Sequence, residues 1–338
     1  MTVTPGNTSL TPISLRIFSG NTSLTPISLR IPRRRIDGVL LLDKPVGITS
    51  NAALLRARRL YQAEKAGHPG TLDPLASGLL PICFGTATRF AQFLLDAHKR
   101  YVATVRFGVT TTTQDAEGDV VTTRPVALDR DALTEALARF VGTRLQTPPA
   151  HSALKFEGRP HYEYARKGIE VPRVPREITI HALRLLAWNP PDATLDVECS
   201  KGTYVRVLAA DLGEALGCGA HLAALRRTAS GGFDVADAAA LDALDAMDDE
   251  ARIALLRPVP ILVAHLPRVD LGAAEAAAFL QGRAVAVGPG AARTDVPVHA
   301  VFGPDGLIGV ADVREGLAQP RRVMPAGFPS TPRSAATA

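Results

Sequence analysis

From Ile36 to about residue 262 the chain changes hydrophobic period repeatedly, from two to 3.6 and back, without regular strand–helix–strand units. That irregularity is the strongest constraint on the fold, because it favours an α+β architecture with a mixed, largely antiparallel sheet. IDGVLLLDKP reads as a buried strand ending at Pro45, while YVATVRFG (101–108) and LDVECS (195–200) alternate as half-buried strands. Helical spacing places a first helix after a capping Ser50, with Leu54, Leu55 and Tyr61 on one face, and a second over roughly 86–97. A third runs from about Asp129 to Val141, with acids in its first turn and Gly142 just past its end. A fourth starts near Arg206 and stops at Gly217, and HLAALRRT (221–228) puts Arg226 and Arg227 at a helix end.

Beyond about residue 262 the character shifts. A short helix and a turn precede VHAVFGPDGLIGVADV, which predicts a hairpin around Pro304, Asp305 and Gly306. The expected division is a tail over 1–35, a catalytic domain over 36–262, a small β-rich module over 263–326 and a frayed tail over 327–338. The first tail carries GNTSLTPISLRI twice, at 6–17 and 20–31. Two copies of so short a unit cannot stack into a solenoid, so disorder is expected. A transit peptide is the rival reading, and Pro12 and Pro26 argue against its amphipathic helix.

Charge needs dissecting before it is used. The chain of 338 residues is +5 overall, and the five arginines within 1–35, where no acid occurs, account for all of it. The remainder is neutral, so any nucleic-acid surface there has to be a local patch. No apolar run is long enough to span a bilayer, and the three scattered cysteines suit a reducing, cytoplasmic setting. The histidines lack ligand spacing, and no glycine-rich nucleotide loop occurs, so neither metal nor cofactor is expected.

One acid stands out. In GHPGTLDPLASGLLPI (67–82), Asp73 is the only carboxylate, held extended by the following proline and surrounded by leucines that disfavour its charged form. To stay ionised it needs a cation close by, and Arg206 of KGTYVR, where a strand hands over to a helix, could supply one; taken singly, Asp73 reads better as an Asx-type turn residue, and the rival reading of Arg206 is a surface arginine. Tyr101 in KRYVAT, flanked by Lys99 and Arg100, suits stacking on a base but equally suits an ordinary strand start.

Together these segments resemble the TruB-type tRNA pseudouridine synthases. The resemblance rests on five motifs in family order: GVLLLDKPVGITS (38–50), GHPGTLDPLASGLLPICFGTATRF (67–90), KRYVAT (99–104), SALKFEGRPHYEYARKGIEVP (152–172) and CSKGTYVRVLAADLGEALGCGAHLAALRRT (199–228). It implies a pseudouridine-synthase catalytic domain followed by a PUA-like domain, acting without cofactor on the uridine at position 55 of the tRNA T-loop. It also implies Asp73 as nucleophile, Arg206 as its partner and Tyr101 stacking on the target base. Tyr204 and Leu225 then line the pocket, His68 enters the T-loop, and Lys44 and Pro45 support the site. The implied partner is the tRNA T-stem-loop, and nothing demands more than a monomer. Two departures are Pro69, where the family usually has a small or hydroxylated residue, and His151, where it often has tyrosine.

Overall fold

A computed structural model describes residues 33–95, 97–288 and 296–325. The duplicated segment and the expected C-terminal tail lie outside them. A ten-stranded sheet dominates. Its main strands are β1 (Gly38–Lys44), β2 (Ala76–Phe84), β3 (Lys99–Phe107), β4 (Gly142–Gln146), β5 (Arg176–Asn189), β6 (Asp192–Cys199), β7 (Ala220–Ser230) and β8 (Ala239–Ala240). The spatial order is β8-β1-β2-β7-β3-β6-β5-β4, with two short strands pairing onto β2 and β7. Along this path β1–β8 and β2–β7 are parallel and the other pairs antiparallel, which is the mixed sheet expected.

The unbroken apolar run of β1 has a simple cause. Successive side chains of a strand point to opposite faces, and here both faces are covered. Leu40 and Leu42 enter the main core, while Val39 and Leu41 enter a second one on the other side.

Helices α1 (Ser50–Leu60), α2 (Arg130–Phe140) and α3 (Val205–Ala215) match the expected ones in place. The cap of α1 differs: the Thr49 side chain accepts from the Ala52 amide, and Ser50 is turned inward. The helix expected over 86–97 is instead a 3₁₀ turn (Gly85–Arg89) followed by one short helical turn (Gln92–Leu95). Ala87, Phe90, Phe93 and Leu94 still reach the second core, so packing keeps the apolar spacing while breaking the helix.

The segment HLAALRRT is not a helix end. It lies in β7, between β2 and β3 in the middle of the sheet. Ala, Leu and Arg favour helix on intrinsic propensity, and pairing on both edges overrides it. Gly78 on β2 makes that pairing possible, since a Cβ there would lie 2.3 Å from the Arg227 carbonyl oxygen.

The C-terminal region forms a separate five-stranded sheet from β9 (Arg268–Asp270), β10 (Val285–Ala286), β11 (Val298–Gly303), β12 (Gly306–Arg314) and β13 (Leu317–Val323). The expected hairpin is β11–β12. One face of this sheet closes on α4 (Ala273–Leu280) through Phe279, Val301, Ile308 and Ala311. The other contributes Ala300, Leu307 and Val310 to the second core, which also holds Val39, Leu41, Leu79 and Cys83 of β1 and β2. No helix among the described residues is long and apolar enough to cross a membrane.

Candidate active site

The loop bearing Asp73 is pinned on both sides of the acid. The buried Ser50 hydroxyl donates to the Leu72 carbonyl (2.9 Å) and accepts from the Leu72 amide (2.8 Å). The Gly47 amide donates to the Pro74 carbonyl at 2.8 Å. Lys44, fully buried at the end of β1, holds the turn behind by donating from Nζ to the Pro45 (2.8 Å) and Ile48 (2.7 Å) carbonyls. Pro45 itself is exposed and meets the site only through that carbonyl.

Arg206, in the first turn of α3, closes the site from below. Its Nη2 lies 3.3 Å from the Asp73 carboxylate, and its Nη1 lies 3.3 Å from that of Asp115. Nη2 also donates to the His151 carbonyl at 2.5 Å. A positive charge at a helix start is disfavoured by the helix dipole, and two carboxylates are what hold it there. The two acids differ in setting: the Asp115 side chain is 3% exposed and that of Asp73 46%. Asp115 is fixed by the Thr113 hydroxyl and the Glu117 amide (3.1 Å), and its loop is tied to Leu222 of β7 through the Gln114 and Ala116 backbones.

Burial raises the Asp73 carboxyl above its ordinary value, Arg206 opposes that, the Asp115 charge adds to it and Lys44 opposes. Lys44 is pulled down to about 8 by burial, against the attraction of Asp73 and Glu117. The acid and the lysine are therefore both displaced toward neutrality, a pattern typical of reactive clusters.

Two tyrosines complete the surroundings. Gln146 at the end of β4 grips the Tyr204 backbone twice, donating to its carbonyl (3.1 Å) and accepting from its amide (2.8 Å). The Tyr204 ring lies 5.8 Å from the Arg206 guanidinium carbon. Tyr101 on β3 is buried, and its hydroxyl is raised chiefly by burial, with Arg227 opposing and the Asp73 charge adding to the rise.

His68 precedes Asp73 on the same loop, and Leu225 pairs with Ala76, whose amide donates to the Asp73 carbonyl. His68 Nδ1–H donates to the Gly70 carbonyl at 2.9 Å, across a buried Pro69; burial lowers the imidazole below its ordinary value, the Gly70 hydrogen bond opposes that, and the Arg227 charge adds to the fall. A carbonyl only accepts, so in the neutral ring the proton is on Nδ1 and Nε2 is left as an acceptor. Leu225 packs against the main core from β7, opposite Ala76 and Ala103. The two departures noted from sequence thus sit differently. Pro69 shapes the His68 turn, whereas His151 meets Arg206 through a carbonyl that any residue would offer.

Sequence reasoning missed Asp115, Gln146, Ser50 and the burial of Arg227. Asp115 sits in TTTTQDAEGD, whose Thr, Asp and Gly content reads as an ordinary solvated turn. Gln146 carried a faint signal, as an amide at a strand end just before two prolines. Among the described residues no group of three His, Cys, Asp or Glu side chains could hold a metal ion.

A carboxylate half open to solvent and backed by a buried guanidinium can attack an electrophilic carbon or take a proton, which defines an enzyme of nucleophilic or acid–base type. The family follows from comparison with known proteins. Residues 58–205 match the model of the TruB family pseudouridylate synthase N-terminal domain, and residues 206–264 that of the tRNA pseudouridylate synthase B C-terminal domain. Proteins called tRNA pseudouridine synthase B are similar over 87% of this chain: one from Burkholderia mallei at 56% identity, covering 99% of that protein, and one from Cupriavidus metallidurans at 53%, covering 96%. Among solved structures, a Cbf5–Nop10–Gar1 complex superposes with a TM-score of 0.66 at 29% identity, covering 85% of each chain. An H/ACA ribonucleoprotein bound to a substrate RNA containing 2'-deoxyuridine gives 0.63 at 27%, also covering 85% of each. The chain belongs to the TruB family of pseudouridylate synthases, enzymes that isomerise uridine in RNA to pseudouridine.

Proposed function

We propose that this protein converts the uridine at position 55 in the T-loop of tRNA to pseudouridine, with Asp73 as nucleophile. The observation that carries the reading is the Asp73–Arg206 pair, in which a half-open acid is held by a buried cation at 3.3 Å. The relatives' names supply the tRNA. The uridine leaves the loop stack, at a cost of a few kcal/mol, and Tyr101 repays part of it by stacking. Asp73 attacks either ribose C1′ or uracil C6, forming a C–O bond; the N1–C1′ bond breaks, the base turns, the C5–C1′ bond forms as C5 loses its proton and N1 gains one, and the bond to Asp73 breaks to return the free carboxylate. Nothing is released, so the residues need no metal, nucleotide or redox partner for balance.

His68, with its Nε2 acceptor, enters the T-loop, Tyr204 and Leu225 line the pocket, and Lys44 and Pro45 support the loop. Residues 36–262 are then the catalytic domain and 263–326 a PUA-like RNA-binding domain of a cytoplasmic monomer. The test is incubation of uridine-labelled tRNA transcript with wild type and Asp73→Asn, assayed for pseudouridine and free base. Pseudouridine from wild type alone is the expected result. None from wild type refutes the reading, free uracil in its place indicates a glycosidase, and an active variant removes Asp73 from the chemistry.

A further inference from the structure

A groove of about 450 Å³ opens between the two sheets, lined by Thr88, Arg89, Gln92, Arg321, Arg322 and Val323. Arg89 closes the turn that follows β2, and the other two arginines stand on β13. Among the described residues no acid lines it. Arg321 is neutralised by Asp312 at 2.6 Å, but among the described residues Arg89 and Arg322 donate only to the backbone carbonyls of Val323 (3.1 Å) and Arg321 (3.3 Å). Two guanidinium charges therefore face the groove with hydroxyl and amide donors beside them, on a body that is net neutral beyond residue 35.

We infer that this groove holds backbone phosphates of the RNA substrate at a point remote from the reacting uridine. The inference rests on the reading of the substrate as tRNA. Separation supports remoteness: Asp73 precedes β2 and Arg89 follows it, and a strand of that length spans roughly 26 Å. The Debye length at physiological salt is about 8 Å, so the groove's charge does not act on the Asp73 carboxylate through solution. Its contribution is to binding, through charge-assisted contacts to phosphate that carry no base sequence.

The experiment compares wild type, R89Q/R322Q and R89K/R322K on full-length tRNA and on a hairpin limited to the T-stem-loop, reading KM, kcat and direct affinity across a salt series. On full-length tRNA, R89Q/R322Q raises KM roughly tenfold with kcat unchanged, and flattens the slope of log affinity against log salt by about 2. R89K/R322K keeps the wild-type slope, because lysine also neutralises phosphate. On the hairpin all three proteins behave alike. An unchanged salt slope for R89Q/R322Q on full-length tRNA overturns the inference and reassigns the groove to another partner, such as an acidic protein. An equal loss on the hairpin overturns the remoteness. The affinity measurement does not need turnover, so failure of the proposed reaction and failure of the groove are read separately.

Discussion

Two acids share one guanidinium, and their surroundings could hardly differ more. Asp73 sits on a loop clamped at Leu72 and Pro74, with its own carboxylate half open to solvent. Asp115 sits on a loop docked to the middle of the sheet, with its carboxylate sealed and hydrogen-bonded by its own turn. At the first the backbone is fixed and the side chain left available; at the second the side chain itself is fixed. Equal distances to Arg206 therefore conceal unequal roles: Asp115 orients the cation, and Asp73 is the group presented.

The sharpest break of that comparison is Asp73→Asn, which should lower kcat by at least about 10⁴-fold. Its melting temperature should rise at neutral pH. The Asp73 carboxyl sits above its ordinary value, so the folded protein binds that proton more readily than the unfolded chain. Ionisation then costs stability as pH climbs through the window just above the usual carboxylate value, and asparagine removes the cost. A lower melting temperature, measured calorimetrically, would show Asp73 to be structural.

Arg206→Met should come next, with kcat lower by about 10³-fold and stability lower by about 3–5 kcal/mol in chemical denaturation, because Asp115 is left buried and unpaired. Asp115→Asn should be milder, about 10²-fold in kcat through misplacement of the guanidinium. It should also move the acid limb of the pH–rate profile downward, since one carboxylate no longer raises the other. Movement upward would mean that Arg206 had left Asp73. The smallest effect belongs to Ser50→Ala, about 1–3 kcal/mol in denaturation and less than tenfold in kcat, from two lost hydrogen bonds to Leu72.

Much of this was legible in the chain. β1, α2 and the hairpin β11–β12 announce themselves by period and punctuation, and the acid of GHPGTLDPLASGLLPI stood out by its apolar company. What stayed hidden depends on partners distant in sequence. Arg226 and Arg227 sit among helix formers, and only pairing with β2 and β3 turns that segment into a strand. Asp115 lies 91 residues from Arg206, in a turn whose composition suits solvent. Ser50 looks like a cap because Thr49, one residue earlier, has the same chemistry and takes the position.

The core shared by the two sheets has a further consequence. Val39, Leu41, Leu79 and Cys83, on the strands that lead into the Lys44 turn and out of the Asp73 loop, share one buried core with Ala300, Leu307 and Val310. A chain cut near residue 262 would carry every residue of the candidate site, yet its central strands would present a greasy flank to water. Such a fragment would be prone to self-association. The C-terminal sheet therefore helps keep dry the strands on either side of the Asp73 loop, because one buried core draws on both regions.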